Sequence, residues 1–326
     1  MREVYFTTTN KQNMNFKQLF TLIKNTVNSF LDDNVIKFSA ALSYYTVFAI
    51  PPLSIIIISI CGYFYGEDAV RGEFFGQIEG LVGAKTALQI QEAIQNVTLS
   101  ESGTIATIIG GITLLFGASG VFAEIQSSIN YIWGLKAKPS KGIIRFVINR
   151  LLSFSMVASL GFILLVSLMI NSSLDFFYDR LTENFSDLSV YLITVLNNII
   201  VLIIVAILFG FIYKTLPGGH IEWRETLMGA IVTSVLFMIG KYAIGLYLGN
   251  TNITSAYGTA GSVLVILVWV YYSAIILYFG AEFTKEYAKM FSDGIEPDRL
   301  SERIIKDYEV PKEIIEELHL RLDNKK

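Results

Sequence analysis

Six long apolar blocks are the feature that most constrains how this chain can fold. Each has about 20 to 28 residues, the length a helix needs to cross a hydrocarbon core about 30 Å thick. None shows the period-2 alternation of a membrane β-barrel, and helices satisfy their own backbone hydrogen bonds in lipid. The sequence therefore predicts an all-α integral membrane protein with six transmembrane helices, at Phe38–Tyr65, Thr104–Tyr131, Ile144–Met169, Leu188–Tyr213, Leu227–Leu248 and Ser262–Phe283.

The composition of the chain agrees with a lipid environment. Only 16% of the residues are charged and the mean hydropathy is +0.53, whereas a soluble domain carries about 25% charged residues. The single cysteine, Cys61, excludes an intramolecular disulfide and a cysteine metal cluster. We expect no cleavable signal peptide, because the polar segment before the first block is too long for an n-region.

Positive charge in the connecting segments predicts the orientation, since cytoplasmic loops retain lysine and arginine. Five such residues lie before the first block and five surround the second loop. The opposite side has only Arg71, Lys85 and Arg180. Both termini are therefore predicted to be cytoplasmic, in a multi-pass protein of a bacterial inner membrane.

This orientation divides the chain into three regions: a cytoplasmic N-terminal segment (1–37), a transmembrane domain (38–287) and a charged cytoplasmic tail (288–326). Apolar residues between Asn15 and Leu31 recur at spacings of three and four, which predicts an amphipathic helix. That helix either lies on the inner membrane surface or packs against the cytoplasmic end of the bundle. The outer loop (66–103) is predicted to be helical, and Pro311 opens a short amphipathic helix in the tail.

No pattern in the sequence is typical of an enzyme. The two histidines, His220 and His319, lie in different segments, and neither has a second histidine or a cysteine at i+3 or i+4. Phosphate loops, dinucleotide fingerprints and nucleophile elbows are absent from the sequence. We therefore predict no catalytic residues, cofactor or metal. The predicted membrane orientation explains where the basic residues lie, so no nucleic-acid partner is expected.

Polar residues inside the predicted spans are the best functional candidates, because a charge deep in hydrocarbon costs at least about 2.5 kcal/mol. Lys241 in span five and Asn197 and Asn198 in span four are placed at similar depth in the outer half of the bundle. They form a polar locus suited to an anionic head group or a coupling ion. The alternative is that Lys241 snorkels to the interface while the asparagines bond between helices.

Two further pairs of residues inside the spans are notable. Glu124 and Glu282 fall near the inner boundary, where structural ion pairs are the favoured account, with Lys136, Arg145, Lys214 or Lys285 as the partner. Pro51 and Pro52 lie mid-way along span one and predict a kinked or broken helix. Broken helices mark substrate sites in some transporters, although many kinks are only architectural.

Five ordered motifs resemble the YihY/virulence factor BrkB family of bacterial inner-membrane proteins, formerly mislabelled ribonuclease BN. They are Ala40-Ala41-Leu42-Ser43-Tyr44-Tyr45 with Pro51; Ala118-Ser119-Gly120; Asn130-Tyr131-Ile132-Trp133-Gly134; Leu216-Pro217 with Trp223-Arg224; and Tyr257-Gly258 with Trp269 and Gly280-Ala281-Glu282. The resemblance implies six transmembrane helices with cytoplasmic termini and a role in the envelope. It implies no catalytic residues, and this sequence gives the ribonuclease label no support.

The leading hypothesis is a transporter or flippase-like protein that acts on a lipid or another amphiphile, with membrane lipids as its partners. The rival is a non-transporting scaffold that recruits envelope partners. An intramembrane enzyme is the weakest alternative. Assembly into a homo-oligomer and a cytoplasmic partner bound through the tail both remain compatible with the sequence.

Overall fold

The computed structural model describes residues 15–49, 120–138, 187–250 and 260–304, together with positions 72, 75, 76, 88, 91 and 306. The predicted span at Ile144–Met169, the prolines Pro51 and Pro52, most of the outer loop and the tail helix after Pro311 lie outside the described residues.

Helix α1 runs from Phe16 to Asp32 and has two different faces. The Gln18 side chain caps the N-terminus of α1, where its Oε1 accepts a hydrogen bond from the Asn15 N–H at 2.9 Å. One face carries the buried Leu22 and Thr26, and Leu22 packs against Phe283 and Tyr287. The other face exposes apolar side chains at helical spacing, namely Phe16, Phe20, Ile23, Val27 and Leu31. Helix α1 thus packs on the bundle while it also presents an apolar surface.

Helices α2 (Val35–Ala49) and α3 (residues 120–132) are the described parts of predicted spans one and two. A short turn at Asp33 and Asn34 separates α1 from α2, and Asn34 adopts a positive φ of 52°. Helices α2 and α3 meet through the rings of Phe38 and Tyr131, whose centroids are 5.2 Å apart.

Three long helices complete the described bundle: α4 (Asp187–Thr215), α5 (Trp223–Asn250) and α6 (Ala260–Phe291). Each is long and apolar enough to cross a membrane. Helix α5 packs against both α4 and α6. The aromatic rings of Phe209, Phe237 and Trp269 link the three helices, with successive centroids 6.0 Å apart.

Glycines bring α5 and α6 unusually close together. A Cβ atom at Gly280 would overlap Thr233 and the hydroxyl of Tyr213, and one at Gly240 would overlap the ring of Tyr272. The Tyr213 hydroxyl uses this space to donate to the Leu277 carbonyl at 2.7 Å and to contact Thr233 Oγ1 at 3.0 Å. Small residues that admit a neighbouring helix are the usual means of packing in lipid, where apolar contact alone gives little driving force.

Two small antiparallel sheets lie at one end of the bundle, which we call the sheet end. Strand β1 (Leu135–Ala137) pairs with β4 (Ser301–Arg303), and β2 (Gly219–His220) pairs with β3 (Glu296–Pro297). Helices α3, α4 and α6 end here, whereas α2 and α5 begin here.

The sheets and the extent of α6 differ from the sequence prediction. An all-α fold was expected, but strands of two or three residues are too short to show alternation. Helix α6 continues to Phe291, eight residues beyond the predicted end of span six at Phe283.

Candidate functional site

A buried network of charged residues at the sheet end is the densest polar feature of the described structure. It begins at Asp33, which the turn between α1 and α2 directs inward and which is only 1% exposed. The Asp33 carboxylate accepts a hydrogen bond from Lys285 Nζ at 3.2 Å and another from Lys306 Nζ. Asp33 therefore joins the N-terminal helices to α6 and to the segment that follows α6.

Glu282 and Lys285 of α6 form the centre of this network. They are three residues apart on one helix face, and Lys285 Nζ lies 2.5 Å from Glu282 Oε2. Glu282 is 0% exposed, and its Oε1 has no hydrogen-bond partner within the described part of the chain. Burying a carboxylate oxygen without a hydrogen-bond partner costs free energy, because the oxygen loses its hydrogen bonds to water and gains none in exchange.

Lys306 completes the network from the C-terminal side. Its Nζ donates to the Ile132 carbonyl at 3.1 Å and lies 4.8 Å from the centroid of the Tyr131 ring. Burial lowers the pKa of Lys306, and the nearby Lys285 ammonium lowers it further, while the bond to Asp33 acts in the opposite direction. We call Asp33, Glu282, Lys285 and Lys306 the charge network.

Polar side chains continue from the charge network deeper between α3 and α6. Tyr278 lies one helical turn before Glu282, and its hydroxyl is fully buried beside Ser128 and Glu124. Ser128 Oγ in turn donates to Glu124 Oε1 at 3.3 Å. Ser128 and Glu124 lie four and eight residues before the end of α3 at residue 132, so at about 1.5 Å per residue they are roughly 6 and 12 Å along α3 from the sheet end.

Three side chains of α3 and the turn after it hold the sheet end together. Gln126 Nε2 donates to the Leu216 carbonyl at 2.6 Å, and Asn130 Oδ1 accepts from the Gly218 N–H at 2.7 Å. Trp133 Nε1 donates to the Ala281 carbonyl at 3.1 Å. These bonds satisfy backbone groups at the end of α4 and fix α3 against α6, directly beside Glu282.

A cleft of about 320 Å³ lies beside the charge network. Apolar side chains form one wall, including Ile132 and Trp133, and charged side chains line the rest, including Lys285, Lys289, Asp293 and Arg303. Lys285 thus belongs both to the cleft and to the buried network, so it connects solvent to the interior.

The predicted outer-half locus is only partly assembled. Asn198 Oδ1 accepts a hydrogen bond from the Tyr242 hydroxyl at 3.0 Å, which joins α4 to α5. The neighbouring Lys241 is half-buried, and we find no ion pair or hydrogen bond from it to any described residue. The side chain of Asn197 lies outside the described structure, and the cleft does not include Lys241.

At the predicted inner boundary, the structure brings together a different set of side chains from the one that the sequence predicted. Glu282 lies against Lys285, one of the suggested partners, while Glu124 contacts Ser128. Asp33 and Lys306 were not singled out, because they lie 252 and 273 residues from their partners in the chain. In the sequence, Asp33 appears only as the second of two adjacent acids, five residues before the first predicted span. Among the described residues, no group of histidine, cysteine and acidic side chains is arranged to hold a metal ion.

Comparison with known proteins places the chain among membrane proteins. A family model described as virulence factor BrkB matches residues 26–305. A UPF0761 membrane protein of Stenotrophomonas maltophilia (strain R551-3) is 26% identical over 266 residues, covering 79% of this chain and 59% of that protein. One from Alkalilimnicola ehrlichii is 27% identical over 264 residues, covering 79% and 56%. The chain thus spans about three fifths of the length of these curated relatives. No solved structure matches it.

Proposed function

This chain belongs to the virulence factor BrkB family of membrane proteins, and from that premise we propose that it is an inner-membrane transporter or flippase-like protein for a lipid or another amphiphile. The proposal includes six transmembrane helices and a sheet end that faces the cytoplasm, as the distribution of lysine and arginine predicts. It assigns the protein a role in envelope maintenance and no catalytic activity.

Exposed apolar stripes on the long helices support a lipid-facing bundle. Ile199, Ile203 and Ile207 recur every four residues on α4 and are all exposed. A second stripe on α5 contains Leu227, Ile231, Val235 and Ile239. Side chains spaced by four lie on one helix face, and in a membrane protein such a face is solvated by lipid tails.

Lys241, to which no described residue supplies an ion pair or hydrogen bond, is the observation that carries the transport proposal. It lies within a helix long and apolar enough to cross a membrane, nine residues before the end of α5 at Asn250. At about 1.5 Å per residue, this places it roughly 13 Å from that end. An intramembrane lysine with no partner among the described residues is suited to an anionic head group. Tyr242, the next residue of α5, and Asn198 of α4 supply neutral hydrogen-bonding groups at a similar depth.

Reconstitution into liposomes with a fluorescently labelled anionic lipid tests this proposal. We expect the protein to accelerate movement of the lipid between leaflets. Combined substitution of Lys241→Ala and Asn198→Ala is expected to slow that movement roughly tenfold, which corresponds to about 1.4 kcal/mol of lost transition-state stabilisation. Lys241→Arg keeps the charge and is the matched control that should retain most of the rate.

Two results would contradict the proposal in different ways. Movement no faster than in protein-free liposomes removes the transport activity itself. Full activity in the double variant keeps transport but removes the site. RNA cleavage by the purified protein, lost on substitution of a single carboxylate, would instead support an enzyme.

A scaffold that recruits envelope partners is the second candidate, and the attachment of the tail favours it. Lys138 N–H donates to the Leu300 carbonyl and Ile304 N–H donates to the Gly134 carbonyl, at 2.9 and 2.8 Å. The first part of the tail is thereby held against the bundle, which would present the rest at the membrane surface. Deletion of residues 307–326 keeps these bonds, so loss of function with normal lipid transport would favour the scaffold.

A further inference from the structure

Glu282 is the most heavily buried titratable group in the charge network and the least satisfied. Its side chain is 0% exposed, one oxygen faces Lys285, and Oε1 has no hydrogen-bond partner in the described part of the chain. An ionised carboxylate normally accepts several hydrogen bonds when it is removed from water. A neutral carboxyl group has a smaller desolvation cost and gains an O–H donor.

A second carboxyl group lies beside it. Asp33 and Glu282 contact the same ammonium group, Lys285 Nζ, at 3.2 and 2.5 Å. The two side chains are also within hydrogen-bonding reach of each other. Two carboxyl groups that share a site favour binding of one proton between them, because like charges repel at short range.

Several elements around Glu282 contribute charged or titratable groups, and α5, which packs against α6, carries the buried Glu225. The turn before α2 supplies Asp33, the tail supplies Lys306, and α3 supplies Glu124 beside Tyr278. Helix α6 itself supplies Lys285. Glu286 also lies on α6, where it pairs with Lys289 at 3.0 Å and accepts a bond from Ser29 at 3.2 Å, and its charge also acts on Lys285.

The two protonation states of this group are both chemically reasonable. With both carboxyl groups ionised, their charges balance those of Lys285 and Lys306. When Glu282 takes up a proton from water, its O–H can donate to Asp33, and Asp33 still binds both lysines. The proton comes from a hydronium ion of the bulk solvent, so one O–H bond breaks there as the O–H bond of Glu282 forms.

We propose that Glu282 is a proton-binding site, with Asp33 as the carboxylate that accepts a hydrogen bond from its protonated form and with the cleft beside Lys285 as the route from solvent. The site stands whether or not the protein transports lipid, and only its use as a coupling site rests on the proposed function. In that case the coupling ion is H⁺, and Tyr278, Ser128 and Glu124 extend the polar path from the network deeper between α3 and α6.

Infrared difference spectroscopy on the purified full-length protein in lipid nanodiscs tests the site directly. Titration from about pH 5 to about pH 9 covers the range to which burial shifts carboxyl groups. We expect a carbonyl band of a protonated carboxyl group that disappears as the pH rises and shifts in D₂O. The band should be absent from Glu282→Gln, whose side-chain amide resembles the protonated acid in shape and donor capacity.

Glu302→Gln is the matched control, because Glu302 lies at the same end of the protein, in β4, and is exposed. It should leave the band unchanged. Glu282→Asp keeps a carboxyl group with a shorter side chain and should retain a band with an altered titration midpoint, which guards against a Glu282→Gln protein that does not fold.

The absence of a titrating band in the wild-type protein, or its persistence in folded Glu282→Gln, would overturn the inference. The measurement involves no transport. A positive result in a protein that moves no lipid would therefore retain the proton site and reject only the proposed function.

Discussion

At the scale of single residues, Asp33 has the greatest influence on the described structure. It binds two ammonium groups from distant parts of the chain while it is almost completely buried. Its neighbour Asp32 has the same chemistry but is exposed on the last turn of α1. The sequence offers no means of distinguishing these two adjacent acids, since only the turn after α1 decides which one points inward.

Substitution of Asp33 should therefore be far more damaging than substitution of Asp32. Asp33→Asn removes the carboxylate that binds both Lys285 and Lys306. Breaking a buried ion pair costs about 3 to 5 kcal/mol of folding stability. Asp32→Asn removes an exposed charge and should change stability by less than about 0.5 kcal/mol. Thermal unfolding of both variants in detergent, followed by tryptophan fluorescence, measures the difference. Equal melting temperatures would mean that the charge network adds nothing to stability.

The motifs on which the family resemblance depends show which features could be predicted from the sequence and which could not. The motif from Asn130 to Gly134 was recognised as a pattern, but its role is visible only in three dimensions. Asn130 binds the turn after α4, and Trp133 binds the backbone of α6. Gly134 has a φ of 70°, a left-handed conformation that favours glycine, and its carbonyl accepts from Ile304. Each role depends on a partner that is remote in the chain.

At the scale of elements, the long helices were predictable and the packing between them was not. Apolar length alone located both ends of α4 and α5 and the start of α6 to within four residues, whereas α6 ends eight residues after the predicted position. The amphipathic spacing of α1 was compatible with a helix on the membrane surface and with a helix packed on the bundle. In the structure, one face of α1 packs on the bundle and the other is exposed. The strands escaped prediction because their partners are non-local. Contact between α5 and α6 depends on glycines whose neighbours cannot be inferred from spacing.

The glycine contact between α5 and α6 gives a test at this scale. Gly280→Ala places a methyl group where Thr233 and Tyr213 now lie, and overpacking of this kind costs about 1 to 3 kcal/mol. Gly210→Ala on α4 is the matched control, because its methyl group would meet only Ala230 at an ordinary 3.6 Å. There the higher helix propensity of alanine should stabilise by up to about 1 kcal/mol. Melting temperatures that change in opposite directions would agree with the structure, and a shared direction would contradict it.

At the scale of the whole molecule, the sheet end gathers charge that a membrane-spanning chain must keep near water. The turn before α2, the ends of α3, α4 and α6 and the following strands converge there. Exposed residues at this end include Lys136, His220, Arg224, Arg299 and Glu302. The nine residues before the opposite end of α6, at 251–259, include no lysine or arginine. This asymmetry agrees with a sheet end on the cytoplasmic side.

Accessibility of single cysteines from the two sides of the membrane tests that orientation. In a Cys61→Ser background, which removes the only native thiol, His220→Cys places a thiol at the exposed sheet end and Ala260→Cys places one at the other end of α6. In intact cells, a membrane-impermeant maleimide should label Ala260→Cys. His220→Cys should react only after the membrane is permeabilised, because helix α6 is 32 residues long and extends about 48 Å, enough to cross the bilayer. The reverse pattern would invert the orientation and place the cleft and Glu282 on the outer face. Labelling of both positions from outside would show that α6 does not cross the membrane, and the transport proposal would then lose its structural basis.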